Sequence, residues 1–460
     1  MGKTSAVDYG QQLMPSALYR RVWASFGLLL FVVTWRLWTP QTEFPQIPFF
    51  AALTEVPGYV DWLAVTAVIL SLFIAGFSSR ESAWRCAMTV FALATVVLVL
   101  LNQHRFQPWA YQFVLFATIM ASCRARVATQ LMRWLVVSIY VYSAISKFDY
   151  QFLHSLGPQF LSTLTGFIGA KSGDWPANLQ VWLALLLPLG ELAVGIGLLV
   201  PRTRRAVVFA AIGLHLLLLL ILGPWGLAHQ PGVLVWNLYF IAQAWLLFAH
   251  SKTDETPTRS LSGYPRVRRA SEPVVQRNRV DSTGSEARRT NNHSISGQTP
   301  RDEPQRRMTE IFSLLLVGIV IIFPASESFG YCDHWSAWEL YSPRSSRVQI
   351  AIHESAVDRL PPDIQSQLSH PPLTEAGWRH LYIDRWALDS LSVPIYPEDR
   401  FQFGVALALA ERYELALAIR VWQQSTSDRW TGERDEQSFI GREQLEAASR
   451  NFRINVQARR

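Results

Sequence analysis

Long apolar runs alternate with short polar breaks through the first half of the chain, and one further run follows later. A helix that crosses the roughly 30 Å apolar layer of a bilayer needs about 20 mainly apolar residues, and most of these runs approach that length. The pattern therefore predicts eight membrane-spanning helices and, after a polar stretch, a ninth. The predicted spans are residues 22–38, 60–77, 85–102, 108–123, 129–146, 178–200, 205–222, 232–249 and 309–325.

The regions around the ninth run have a different composition. Residues 251–308 are rich in Arg, Ser, Thr, Asn and Gln with few large apolar residues, which predicts a disordered basic linker. Beyond the ninth run, residues 326–460 carry charge at the density of a soluble protein. There Arg347–His353 alternates like a strand, and Phe403–Trp422 has the pattern of a helix. The predicted fold class is an all-α polytopic membrane bundle with about 8+1 spans, eight of them in residues 1–250, and a small extracytoplasmic α+β C-terminal domain.

The basic residues of the short loops predict an orientation. Lys and Arg resist translocation, so the loops that carry them stay in the cytoplasm. This places the N-terminus and the 251–308 linker in the cytoplasm and the C-terminal domain outside it, provided that 309–325 crosses; a re-entrant or interfacial segment is the alternative. The cytoplasmic clusters are Lys3, Arg20 and Arg21; Arg80 and Arg85; Arg124 and Arg126; and Arg202, Arg204 and Arg205.

Composition supports a membrane location and excludes other classes. Half of the residues are hydrophobic and only 17% are charged, whereas soluble proteins have roughly 25% charged residues. The net charge of +7 comes from loop and linker residues rather than from an aromatic-rich basic face, so we expect lipid rather than nucleic acid as a partner. No small-residue cleavage site follows Trp38, which predicts a retained first helix. We expect a multi-pass protein of a bacterial inner membrane or a plasma membrane.

Three ionisable residues lie in or beside the fifth to seventh runs. Lys147 ends the fifth run and is either functional or simply reaches the interface at the helix end. Glu191 has apolar residues on both sides, so it either pairs with Lys147 or Arg133 or remains protonated. His215, within the seventh run, is either a site residue or makes a structural hydrogen bond between helices.

Other polar residues in the runs suit structural roles. Arg36 and Arg133 are expected to reach the interface or to pair, and Asn237 and Gln243 to make hydrogen bonds between helices. His104, His154 and His229 fall on the predicted extracytoplasmic side and are candidates for a pocket mouth. Their spacing matches no metal-binding motif, so no metal site is predicted.

Residues 140–160 carry the most informative motif. The helix ending in Ala144-Ile-Ser-Lys-Phe-Asp149, then Phe152 and Leu156-Gly-Pro158, resembles the lysine-bearing segment of vitamin K-dependent gamma-glutamyl carboxylases and of their relatives with a horizontally transferred transmembrane domain. It is also similar to the DoxX/MauE-like membrane proteins. The likeness continues through Glu191–Val200, the helix with His215, and Gly223–Gly226, although Gly232–Asn237 departs from the expected carboxylase motif. By this resemblance Lys147 would be the base that deprotonates a reduced quinone similar to vitamin K.

Three hypotheses follow from these features. The first is a quinone-linked membrane enzyme in which Lys147, Glu191 and His215 converge as catalytic residues. The second, from the DoxX/MauE likeness, is a non-catalytic redox-associated subunit that supports electron delivery to an extracytoplasmic protein partner. The third is a structural or assembly protein whose C-terminal domain binds such a partner. A transporter is disfavoured because the chain shows no inverted repeat or matched pair of broken helices.

Overall fold

The computed structural model describes residues 17–249, 302–370 and 377–460, and helices lie at all nine predicted span positions. Residues 251–301 of the predicted linker lie outside the described residues. Residues 302–308 belong to a helix that begins before the predicted residue 309. The helices of this part are α1 (Ala17–Val33), α2 (Trp35–Trp38), α3 (Tyr59–Phe77), α4 (Glu81–Leu101), α5 (Pro108–Ser122), α6 (Ala125–Ile145), α7 (Gly157–Gly166), α8 (Ala177–Leu199), α9 (Arg204–Leu222), α10 (Pro231–Ala244) and α11 (Asp302–Ile322).

Six of the described helical segments are long and apolar enough to cross a membrane. They are Tyr59–Phe77, Glu81–Leu101, Ala177–Leu199, Arg204–Leu222, Pro231–Ala249 and Arg307–Glu327. Their outward faces carry large apolar side chains, as a helix in contact with lipid requires. The other three predicted spans stay predictions, because α1 and α5 have only 17 and 15 residues and α6 is interrupted by polar residues.

Close packing between α6 and α8 sets the geometry of the later helices. Gly195 of α8 faces α6, and a Cβ atom added there would lie 3.1 Å from Tyr140 Cβ and 3.2 Å from Val141 Cγ2. Any larger residue would therefore separate the two helices. Elsewhere aromatic side chains pack together in the core of the bundle. The ring of Trp23 is stacked on Phe113 with 5.6 Å between centroids, and it is edge-on to Phe91 at 5.2 Å.

The break between α6 and α8, predicted as a loop, contains further helix. A π-helical turn, Phe152–Leu156, leads directly into α7. Phe160 of α7 is buried against Ile221 and Leu222 at the end of α9. This contact closes the bundle beside the end of α6, where Lys147 lies.

The C-terminal part contains a four-stranded antiparallel sheet whose strands lie in the order β2 (Trp378–Leu381), β1 (Arg347–His353), β3 (Ile419–Gln424) and β4 (Glu436–Ile440). The predicted strand at residues 347–353 is confirmed. The predicted helix over residues 403–422 is wrong in its second half, because the chain turns at Glu414 and Ala416, both with positive φ, and then continues as a strand that pairs with β1. The elements are β1 (Arg347–His353), α12 (Pro362–Gln365), β2 (Trp378–Leu381), α13 (Ile383–Leu391), α14 (Asp399–Arg412), β3 (Ile419–Gln424), β4 (Glu436–Ile440) and α15 (Gly441–Ser449).

The C-terminal domain, residues 326–460, packs against the loops at one end of the bundle. His104 Nε2 donates to the carbonyl of Pro394 at 2.8 Å, and Gln103 Nε2 donates to the carbonyl of Asn455 at 2.7 Å. The deepest contact is ionic, since buried Asp61 of α3 pairs with both Arg105 and Arg459. The domain and the helices thus form one continuous core.

The arginines predicted to be cytoplasmic lie at the opposite end of the bundle. Arg85 donates to the carbonyl of Ala121 at 2.8 Å, and the Arg124 side chain lies 3.6 Å from Glu310 near the start of α11. The end of α11, in contrast, leads into the C-terminal domain. In the described part of the chain, the bundle therefore has one basic end and an opposite end that the C-terminal domain covers.

Candidate functional site

Lys147 follows the last turn of α6, and its amine points back into the bundle rather than outward. The ammonium group donates to the Ser143 carbonyl at 2.7 Å and lies 2.6 Å from Ser143 Oγ. Its third contact is Glu191 Oε2 at 2.8 Å. The residue is only 5% exposed, so it does more than reach the interface, although its bond to the Ser143 carbonyl also caps the end of α6 as the alternative interpretation expects.

Glu191 projects from the middle of α8 toward α6. The close approach at Gly195, one turn further along α8, brings the carboxylate within reach of the Lys147 amine. Of the two cations considered as partners, the structure selects Lys147. Arg133 instead donates from Nε to the Leu247 carbonyl at 2.7 Å. The pair supplies the compensation that a charge between apolar helices requires.

His215 lies on α9 within a hydrogen-bonded chain. Asn237 Nδ2 donates to the Val233 carbonyl, so the Oδ1 atom of Asn237 faces His215 Nδ1 at 2.9 Å and accepts a hydrogen bond from it. In the neutral imidazole the ring proton is therefore on Nδ1, and Nε2 accepts a hydrogen bond from the Tyr140 hydroxyl at 2.7 Å. The ring also stacks on Phe240, with 4.7 Å between centroids.

The three predicted site residues line one cavity. Its volume is about 50 Å³, and apolar side chains from α6, α8, α9 and α10 form most of its wall. Lys147 and Glu191 contribute an ion pair, and His215 contributes an imidazole. A few polar groups in an apolar enclosure are typical of a small-molecule site, but this volume is far below the roughly 300 Å³ of the smallest usual ligand pockets.

Tyr140 and Tyr341 also line the cavity, although neither was predicted as a site residue. Tyr140 precedes Lys147 by two helical turns and so shares its face of α6, a spacing that could have indicated it. Tyr341 and Leu340 come from the C-terminal domain and close one wall of the cavity. Asn237 was expected to bond between helices, and it does so with His215.

The remaining histidines have separate environments. His104 is fully buried beneath the C-terminal domain, so its prediction as a residue at a pocket mouth is wrong. His154 stacks on Tyr150 at 4.0 Å, away from both cavities. His229 lines a second, mainly apolar cavity of about 220 Å³. The two cavities adjoin because both include Trp236, Leu340 and Tyr341 in their walls.

These features define a helical membrane protein with a mainly apolar cavity, which holds a few polar groups, between α6, α8, α9 and α10. Residues 125–229 match the family model described as methylamine utilisation protein MauE. The match confirms the predicted MauE-like character of this region, which contains Lys147, Glu191 and His215. The resemblance to gamma-carboxylases stays a prediction. The chain matched no curated protein and no solved structure.

Proposed function

We propose that this chain is a membrane-embedded accessory protein of a redox system, whose partner binds at the C-terminal domain. The MauE match over α6 to α9 carries the proposal. Use of methylamine as a nutrient requires oxidation of its carbon, so the description of that family refers to a process with redox chemistry. The accessory role also needs no reaction at the cavity, where the described polar groups largely satisfy one another.

An extracytoplasmic C-terminal domain is part of this proposal. The separation of the basic end from the domain-covered end supports it, because basic loops stay in the cytoplasm. To test it, the native cysteines Cys86, Cys123 and Cys332 are replaced by serine, and a single cysteine is introduced by Trp430→Cys or Arg80→Cys. A membrane-impermeant thiol reagent should label position 430 in intact cells and position 80 only after permeabilisation. The reverse pattern would contradict the orientation.

Co-purification tests the accessory role. The full chain, extracted in a mild detergent, should retain a protein that carries its own redox cofactor, visible by its absorbance. Leu417 and Trp430 are large apolar residues on the domain that are 75% and 76% exposed. We expect Leu417→Glu or Trp430→Glu to reduce recovery of the partner, and Arg80→Glu at the opposite end to leave it unchanged. Recovery of the chain without any cofactor-bearing protein would refute the proposal.

The cavity supports a second candidate, a quinone-linked enzyme. A base at this position acts through the neutral amine of Lys147, and Glu191 Oε2, 2.8 Å away, is placed to take up the proton that the amine releases. The amine could then accept the hydroxyl proton of a reduced quinone, which leaves a phenolate and an ammonium group beside the Glu191 acid. The Tyr140 hydroxyl, whose proton points to His215 Nε2, could accept a hydrogen bond from the second quinone hydroxyl.

Turnover of a reduced quinone by the purified protein tests this candidate. Lys147→Ala should lower the rate by on the order of 100-fold or more, because general-base catalysis contributes that much. Lys171→Ala is the matched control, since Lys171 is an exposed loop residue. Size-exclusion chromatography would verify that each variant is folded. An unchanged rate in Lys147→Ala would eliminate the mechanism.

A further inference from the structure

Three potential metal ligands are buried together in the segment that joins α11 to the sheet. Glu327 lies in the helical turn Phe323–Phe329 that follows α11, and His334 and Glu339 follow in the loop. One ligand atom from each lies within 4.8 Å of the other two. All three residues are more than nine-tenths buried, so water cannot readily compensate their polar atoms.

Only one carboxyl group of this cluster has an arginine in direct contact within the described chain. Arg344 donates to Glu327 Oε2 at 2.6 Å. Glu339 has no such arginine, and its carboxyl group faces the imidazole of His334 at 3.0 Å.

The atoms that face each other are also unsatisfied. His334 Nε2 lies 3.0 Å from Glu339 Oε2, yet neither atom makes a hydrogen bond within the described residues. Glu327 Oε1 lies 3.3 Å from the other ring nitrogen of His334. Buried polar atoms nearly always have a partner, so His334 Nε2 and Glu339 Oε2 require a shared proton or a bound cation.

The loop around Glu339 adopts a costly backbone conformation. Trp338 and Tyr341, on either side of it, have φ values of 60° and 58°. Non-glycine residues in this left-handed region cost roughly 1–2 kcal/mol each. Such a conformation persists only where surrounding interactions hold it in place. A bond from Glu339 to a bound ion would be one such interaction.

We propose that Glu327, His334 and Glu339 bind a divalent transition-metal ion of the Zn²⁺ type. One imidazole nitrogen and two carboxylate oxygens are ligands that Zn²⁺ accepts, with a fourth position left for water. Tetrahedral bonds of about 2.1 Å place ligand atoms about 3.4 Å apart, which requires only a modest contraction of the present cluster. Arg344 keeps its bond to the second oxygen of Glu327 and orients that ligand.

A bound ion would connect the loop around Glu339 to the wall of the cavity that Lys147 lines. Glu339 directly precedes Leu340 and Tyr341, which form part of the cavity wall. A metal ion at Glu339 would therefore fix the position of that wall. This role does not depend on the partner or the reaction proposed above.

Zinc binding to the full chain in detergent tests the proposal directly. After treatment with a chelator, the wild type should bind one Zn²⁺ per chain, and its Tm should rise with zinc concentration. Glu339→Gln and His334→Gln, which preserve size, should weaken binding at least tenfold and abolish the Tm increase. His353→Gln, at a histidine outside the cluster, is the matched control.

Two results would overturn the proposal. A folded wild type that binds no Zn²⁺ at saturating free metal would show that a proton, not an ion, bridges His334 and Glu339. Equal zinc stoichiometry and affinity in the wild type and both glutamine variants would place the ion elsewhere. If a variant fails to fold, the wild-type measurement still decides between an ion and a proton.

Discussion

Substitution of Asp61 by asparagine should destabilise the junction between the bundle and the C-terminal domain. Asp61 is fully buried, and it pairs with Arg105 through Oδ1 and with Arg459 through Oδ2, the latter at 2.7 Å. Asparagine preserves the shape and one acceptor but removes the negative charge. Two buried guanidinium groups would then face each other without their shared counter-ion.

The size of the expected loss of stability follows from the contacts that the two arginines keep. Arg105 keeps its bonds to the carbonyls of Leu37 and Thr39, and Arg459 keeps those to Val56 and Pro57. These bonds solvate the cations but do not neutralise them. Removal of one member of a buried ion pair costs about 3–5 kcal/mol, and we expect Asp61→Asn to lower the free energy of unfolding by that amount.

Equilibrium unfolding in mixed detergent micelles would measure the loss, and limited proteolysis would show whether residues 455–460 detach. Arg460→Ala is the control, because the Arg460–Glu55 pair is 3.2 Å long but largely exposed, and such pairs contribute less than about 1 kcal/mol. If Asp61→Asn were as stable as Arg460→Ala, the buried network would not hold the domain as we infer.

Two further expectations concern the same junction. Burial, with a smaller effect of the Arg105 charge, lowers the pKa of His104 to about 4. In the unfolded chain this histidine takes up its proton near pH 6.5, so acid favours unfolding. The wild type should therefore lose about 2 kcal/mol of stability between pH 7 and pH 5 that His104→Gln does not lose. An equal pH dependence in both proteins would contradict this. Gly404→Ala would place a Cβ 2.5 Å from the Val456 carbonyl oxygen, so it should cost about 1–3 kcal/mol in thermal or denaturant unfolding despite the better helix propensity of alanine. Gly213→Ala, with no atom within 4 Å, should be neutral, and equal stability of the two variants would refute the packing argument.

The sequence predicted the long helices well because apolar runs of about 20 residues have few alternatives. It failed where tertiary contacts override local preference. Residues 415–419 are Leu-Ala-Leu-Ala-Ile and favour a helix, yet the chain turns there and pairs Ile419 with Ile352 of β1. The edge strand Glu436–Ile440 has no apolar alternation, because nearly all of it is exposed.

The site could be predicted only in part for the same reason. Lys147, Glu191 and His215 are conspicuous as ionisable residues among apolar ones, and the structure brings all three to one cavity. Tyr341 could not be found, because it lies in a loop without periodicity and reaches the cavity only through the packing of the whole domain. The Glu327–His334–Glu339 cluster was missed because its spacing matches no common metal motif.

The wall formed by Leu340 and Tyr341 has a consequence for access to the cavity. These two residues belong to the C-terminal domain, whereas the buried polar groups belong to the helices. Whatever route leads to Lys147 and His215 must therefore pass side chains of both parts of the molecule. The size of a chamber within the bundle is thus set partly by residues of the domain outside it.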